Sequence, residues 1–203
     1  MLFRSQKLNV GAAQFFTNAV NTTTNGVDAI VTYTASFVNK HILKLSLAGN
    51  FNKMKIDKIY TNDKLKNKEY TYFGIREQYF LMASAPESKI NFTIDYSMGN
   101  FFASVKAVQF GKVELINWND NGNKDVDTQP GSNELDTYKA KMTYDLSLGY
   151  RFRNLSLTLG VANLTNEYPD EHDPALTESG GNWDAVQMGF SGRFSFARIG
   201  FKF

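Results

Sequence analysis

Apolar and polar residues alternate along most of this chain. A strand sends successive side chains to opposite faces, so a two-residue period predicts strands with one greasy and one wet face. In Val27–Phe37 the apolar set is Val27, Ala29, Val31, Tyr33, Ala35 and Phe37, against Asp28, Ile30, Thr32, Thr34 and Ser36. The next run sets Leu43, Leu45, Leu47 and Phe51 against Lys44, Ser46, Ala48 and Asn50. Ile90, Phe92, Ile94 and Tyr96 then face Lys89, Asn91, Thr93, Asp95 and Ser97. Ala103, Val105 and Ala107 oppose Ser104 and Lys106, although Phe102, Val108 and Phe110 blur that run. The longest run extends from Tyr138 to Phe152, and another covers Leu155–Ala162. The last, Gly192–Phe203, is expected to continue to the final residue, with Phe203, Phe201, Ile199 and Ala197 on its apolar face. These make about seven strands.

The connections alternate strictly between tight and long. Tight turns fall near Asn39-Lys40, Gly99-Asn100 and Arg153-Asn154; long ones span about Asp57–Glu87, Glu114–Asp136 and Thr165–Gln187. In an up-and-down antiparallel meander this puts every tight turn at one end and every long loop at the other. Outer-membrane barrels have that asymmetry, with short periplasmic turns and long extracellular loops. The runs also exceed the ~5–6 residues of ordinary strands and approach the ~9–11 that cross a bilayer at a tilt. Aromatics cluster on the apolar face beside the tight turns: Phe37, Tyr96, Phe101, Tyr150, Phe152 and Phe201. They are expected to form a periplasmic aromatic girdle. Seven is an odd count, whereas single-chain bacterial barrels have an even number of strands, eight or more, and an open seven-stranded sheet leaves two unpaired edges, which hydrocarbon does not tolerate. The fold class expected is therefore all-β, an antiparallel meander forming part of a larger transmembrane barrel.

Composition changes this picture little. The chain has 203 residues, no Cys and a formal charge of +2. Disulfides and thiolate metal sites are excluded, and nucleic acid is not an expected partner. Mean hydropathy is −0.35, which suits a membrane barrel because half of each strand and the long loops are polar. No run approaches the ~20 apolar residues of a membrane helix. The first ten residues lack the apolar core of a secretory signal, and the expectation is that the chain is the C-terminal part of something longer.

Four sequence patterns carry a family resemblance. Gly160-Val-Ala-Asn-Leu-Thr-Asn-Glu-Tyr-Pro169 is followed by Gly192-Arg193 and the terminal Phe203. Upstream lie Phe16-Thr-Asn-Ala-Val-Asn-Thr-Thr-Thr-Asn-Gly26-Val-Asp28 and Ala85-Pro86-Glu-Ser-Lys89-Ile-Asn91. Together, in this order, they resemble the C-terminal end of a TonB-dependent outer-membrane receptor. Thr165 departs from the pattern, which more often has Phe there. The resemblance implies an about 22-stranded barrel around a plug, of which this chain would supply the last third. It implies location in the outer membrane of a Gram-negative bacterium and active uptake of a scarce nutrient such as an iron chelate, cobalamin, an oligosaccharide or a peptide. The implied partners are outer-membrane lipid, the rest of the barrel, the plug and, through the plug, the TonB complex. Phe203 is the implied barrel-assembly signal.

Charges on the polar strand faces are expected to face the barrel lumen: Asp28, Lys44, Asp95, Lys106, Lys141, Asp145, Arg151 and Arg198, with Lys139 beside them. So many charges exclude a sheet buried on both faces. The loop aromatics Tyr72, Trp118 and Trp183 are candidate ligand contacts, or else small loop cores. No catalytic or metal constellation is expected, and no cofactor. His41 reads as a solvated turn residue and Asp170-Glu-His-Asp173 as an acidic loop cluster; a triad of His172, Asp173 and Ser179 can only be forced. Asn117–Asp127 resembles half of a calcium loop but lacks the closing Glu. Two other readings stand beside the transporter: a soluble β-sandwich that binds carbohydrate, and a barrel enzyme.

Overall fold

The structure, a computed structural model, describes residues 19–61, 66, 73–83, 85–116, 135–174, 177, 180–183 and 187–203. Nine strands and one α-helix stand among these residues. They are β1 (Val20–Phe37), β2 (His41–Ile59), β3 (Ser88–Met98), β4 (Phe101–Phe110), β5 (Val113–Ile116), β6 (Leu135–Tyr138), β7 (Lys141–Phe152), β8 (Leu155–Ala162), β9 (Phe194–Phe201) and helix α1 (Ile75–Met82). Seven strands form one sheet in the order β1-β2-β3-β4-β7-β8-β9, and β5 and β6 form a separate two-stranded ribbon. All pairings are antiparallel. The meander is the one the alternation predicts, and no described strand pairs with the outer edge of β1 or β9.

The tight turns are where the sequence puts them, and their backbone explains Asn39 and Gly99. Asn39 and Lys40 both take positive φ (64° and 62°), as do Gly99 (58°) and Arg153 (53°). Turning this sharply between twisted strands requires left-handed residues, which Gly and Asn adopt most readily.

Register sorts the side chains cleanly, because directly opposed residues share a face. One row runs Tyr33, Leu45, Ile94, Val105, Leu146, Val161. The adjacent row on the other face runs Thr32, Ser46, Thr93, Lys106, Asp145. The apolar face is bare: Val31 is 65% exposed, Phe152 59% and Ile199 72%. The polar face is partly covered at the loop end, where Val108 and Thr143 are 4% and 8% exposed. A soluble sheet does the opposite. The only hydrophobic cluster of fully buried residues among those described is small and lies at the loop end: Val113, Leu115 and Tyr138, with Phe80 of α1 packed on it.

Four details differ from the sequence expectation. The run Tyr138–Phe152 is two strands, since Lys139 and Ala140 leave the ladder; Tyr138 belongs to the loop-end core, and Lys139 is not on a strand face. The ribbon β5–β6 and helix α1 occupy stretches read as plain connections. Strands β1 and β2 extend well past Val27 and Phe51. The last strand ends at Phe201, with Lys202 still donating its backbone N–H to the Asn154 carbonyl at 2.9 Å and Phe203 wholly exposed beyond it.

Candidate functional site

The sheet itself is the candidate site: a wall with two chemically distinct faces, and a folded cap at one end. On the apolar face, cross-strand pairing brings Phe37, His41, Met98, Phe101 and Tyr150 into one row beside the tight turns. Tyr96 lies one step inward, and Phe152 and Phe201 one step outward, both opposite Leu155. The expected girdle residues are thus neighbours. His41, read from sequence as a solvated turn residue, belongs with them. Its Nδ1 lies 2.6 Å from the Tyr96 hydroxyl, which gives the ring a partner on a face where few groups can offer one.

The eight charged residues expected on the polar face all fall on it. Asp28 Oδ1 accepts from Asn50 Nδ2 at 2.6 Å, Lys44 stands opposite Asp95, and Lys106 approaches Asp145 at 3.9 Å. Lys141 bridges Glu167 (3.1 Å) and Asp170 (2.9 Å). Burial pushes the Asp170 carboxyl up, but the Lys141 ammonium and the Lys139 backbone N–H outweigh it and hold the group below its ordinary range.

Aromatics interleave with these cations in a way the alternation concealed. Phe102 is on the polar face opposite Gly149, and Phe196 opposite Gly160. Each ring lies flat over its glycine: a Cβ on Gly149 would sit 2.1 Å from the Phe102 ring, and one on Gly160 2.3 Å from Phe196. Arg151 stacks over Phe102 at 4.7 Å, Arg198 over Phe196 at 6.0 Å, and Lys89 over Phe110 at 4.9 Å. The rings cover the backbone where a glycine leaves it bare, as in cross-strand rescue of glycine by an aromatic. Gly149→Ala is accordingly expected to cost about 1–3 kcal/mol by overpacking, and the cost should vanish when Phe102 is also replaced by Ala. Chemical unfolding of the four members of that cycle measures it.

At the loop end, the corner Asn163–Pro169 and the step Gly192-Arg193 come together. Asn163 and Asn166 take positive φ (50° and 59°). Asn163 Nδ2 donates to the Glu167 carbonyl and its Oδ1 accepts from the Glu167 N–H, at 2.7 and 2.8 Å. Asn166 Oδ1 accepts from the Arg193 N–H at 2.9 Å. Gly192 has φ 69°, and a Cβ there would strike the Tyr168 hydroxyl. Two sequence segments 27 positions apart are thus one corner.

The cap is held by Gln187, which is 2% exposed. Its Nε2 donates to the carbonyls of Gly111 and Lys139 at 2.7 and 2.8 Å. These carbonyls belong to the first residues of the two-residue breaks where β4 gives way to β5 and β6 to β7. His172 stacks on Tyr138 with centroids 4.0 Å apart, and its Nδ1 lies 2.9 Å from Asp136 Oδ2. Rather than joining an acidic surface cluster, it ties the 163–192 segment to the ribbon. Trp183 stacks between Tyr168 (5.5 Å) and Phe190 (5.8 Å), a small core of the loop itself. Tyr72, Trp118, Ser179 and the Asn117–Asp127 segment lie outside the described residues. Among the described residues no cluster of three or more His, Asp or Glu could hold a metal.

No curated protein and no solved structure matched the chain. The family model for the TonB dependent receptor-like β-barrel matches residues 3–164, well over half of the sequence and most of the two-faced wall. Tight turns at one end, an uncovered apolar face and this match agree: the chain belongs to the TonB-dependent receptor β-barrel family, whose members are outer-membrane receptors and transporters.

Proposed function

We propose that this chain is the C-terminal portion of the barrel of an outer-membrane active transporter that takes up a scarce extracellular nutrient. The observation that supports it is the inverted burial of the sheet. Leucines, valines and aromatics of the seven strands are exposed while the polar face carries the cover, which is stable only where hydrocarbon replaces water. In this reading the apolar face meets lipid, and Asp28, Lys44, Asp95, Lys106, Lys141, Asp145, Arg151 and Arg198 line the lumen. The tight turns are periplasmic and the capped end extracellular, where the long segments meet the nutrient. Open edges at β1 and β9 are completed by the rest of the barrel, and a plug domain coupled to the TonB complex supplies the energy. Phe203, projecting past β9, serves as the recognition signal for barrel assembly. This portion alone is expected not to transport.

The test is heat-modifiability. In outer-membrane fractions the barrel containing this chain should need detergent for extraction and should migrate differently on a gel before and after boiling. Release into plain buffer as a monomer would instead support a soluble sandwich.

A further inference from the structure

We infer that the loop end of β2 carries a binding surface for the phosphate groups of the outer-leaflet glycolipid, formed by Lys53, Lys55 and Lys58. The inference rests on the assignment of the apolar face to lipid.

Charge is missing from most of the height of the apolar face. From the row of Phe37 and His41 up to the pair Val27–Phe51, the seven strands place no Lys, Arg, Asp or Glu on it. On β2 this uncharged stretch runs from His41 to Phe51. Ten residues at ~3.4 Å each make ~34 Å, or ~24 Å of height at a ~45° tilt. That equals the ~25 Å apolar band of a membrane barrel, so the residues just beyond Phe51 stand at headgroup level.

Those residues are lysines, and they point outward. Lys53 and Lys55 continue the face of Phe51, opposite Asn25 and Thr23. Simple alternation would then turn Lys58 to the other face. The irregularity between Asn21 and Thr22 prevents this: Thr22 pairs with Ile56 and Asn21 with Lys58. Asn21 shares a face with Thr23, so the bulge at Asp57 returns Lys58 to the outer side. The outer-face residues Lys53, Lys55, Asp57 and Lys58 are exposed, whereas Asn52, Met54 and Ile56 on the other face are half-buried.

Among the described residues two of the three charges are unopposed, those of Lys53 and Lys58. Asp57, the one acid of β2, is taken by Lys55 at 2.9 Å and by the Thr23 hydroxyl. Among the described residues no carboxylate lies within ion-pair distance of Lys53 or Lys58; Lys58 rests over the Tyr60 ring at 4.7 Å. Glu87 lines a groove with Lys53 without pairing to it. Among the described residues no strand pairs with the β3 side of β2 beyond Phe51, because β3 begins at Ser88. Three ammonium groups on one exposed strand face, two of them unopposed, stand directly above a hydrocarbon-facing band and match a glycolipid that carries its phosphates at the top of its acyl chains. A free nutrient would be sought on the opposite, lumen-side face.

The test uses the complete barrel, purified in detergent from outer membranes. Native mass spectrometry quantifies its retention of diphosphorylated lipid A. Lys53→Gln/Lys55→Gln/Lys58→Gln should weaken retention at least about tenfold. A variant losing three cations at the other rim, Lys40→Gln/Arg153→Gln/Lys202→Gln, should retain lipid A like the wild type. Equal retention by the first variant overturns the inference, and so does displacement by inorganic phosphate at the concentration at which lipid A itself competes. The gel shift on boiling, read on the same samples, separates two failures. Its absence in the wild type sinks the membrane reading, whereas its presence without a lysine-dependent lipid sinks only this inference.

Discussion

Leu146→Arg is expected to destabilise the barrel by about 2–4 kcal/mol, the cost of a cation near the bilayer midplane on a lipid-facing strand. Leu146 stands in the middle row of the apolar face, level with Leu45, Ile94 and Val105. Its chain neighbour Ser147 points the other way, opposite Ser104 and Gly160. Ser147→Arg should therefore change stability by no more than a few tenths to about 1 kcal/mol, the range of a solvated polar-face change. Both variants alter the same strand by one residue and add the same charge, so strand propensity and net charge cancel in the comparison. Guanidinium unfolding of the complete barrel in lipid vesicles gives the two values. If Leu146→Arg costs no more than Ser147→Arg, the apolar face does not meet hydrocarbon.

Gln187→Ala should release the cap. The substitution removes the hydrogen-bond donors that the Gln187 side chain provides to the Gly111 and Lys139 carbonyls. A buried carbonyl left unpaired costs about 1–3 kcal/mol while the cap stays closed; this falls on Gly111, whereas Lys139 is exposed and its carbonyl can turn to water. The cheaper outcome is local opening of the ribbon, which lets water satisfy both groups. Limited proteolysis should accordingly cut within 111–116 and 135–140 at least about tenfold faster than in the wild type, while the sheet's unfolding transition stays where it was. Unchanged protection would show that the Tyr138–His172 stack and the α1 contacts hold the cap without Gln187.

Strands that meet lipid on one face are legible because the membrane enforces strict alternation there. Leu43, Leu45 and Leu47, or Leu155, Leu157 and Leu159, can be read at sight, and so can the turns between them. Above the apolar band that constraint lapses. Thr22, Thr23, Thr24 and Asn25 pair with Ile56, Lys55, Met54 and Lys53, and nothing in such a mixture marks a strand. The break at Lys139-Ala140 is hidden for the opposite reason, since alternation happens to persist through it while the ladder is interrupted. Helix α1 is eight residues long, too short for a helical period to stand out. The polar-face rings Phe102, Phe110 and Phe196 look like noise in the sequence. Their meaning lies in cross-strand glycines and cations that only register reveals. The corner at Asn163 and Asn166 is visible as a resemblance, but the reason for those residue types is the left-handed backbone and the bond to Arg193.

Strand lengths give the finished cylinder an uneven profile. Strands β1 and β2 have 18 and 19 residues, while β8 and β9 have eight each. In the orientation proposed, the excess rises on the outer side of the cell as a parapet along one arc of the mouth, some ~27 Å of ribbon from Phe51 to Ile59. Antibodies and phages approaching an intact cell would meet that parapet, which stands above the apolar band. Among the described residues, the exposed side chains of 20–25 and 52–59 are therefore where immune escape should concentrate.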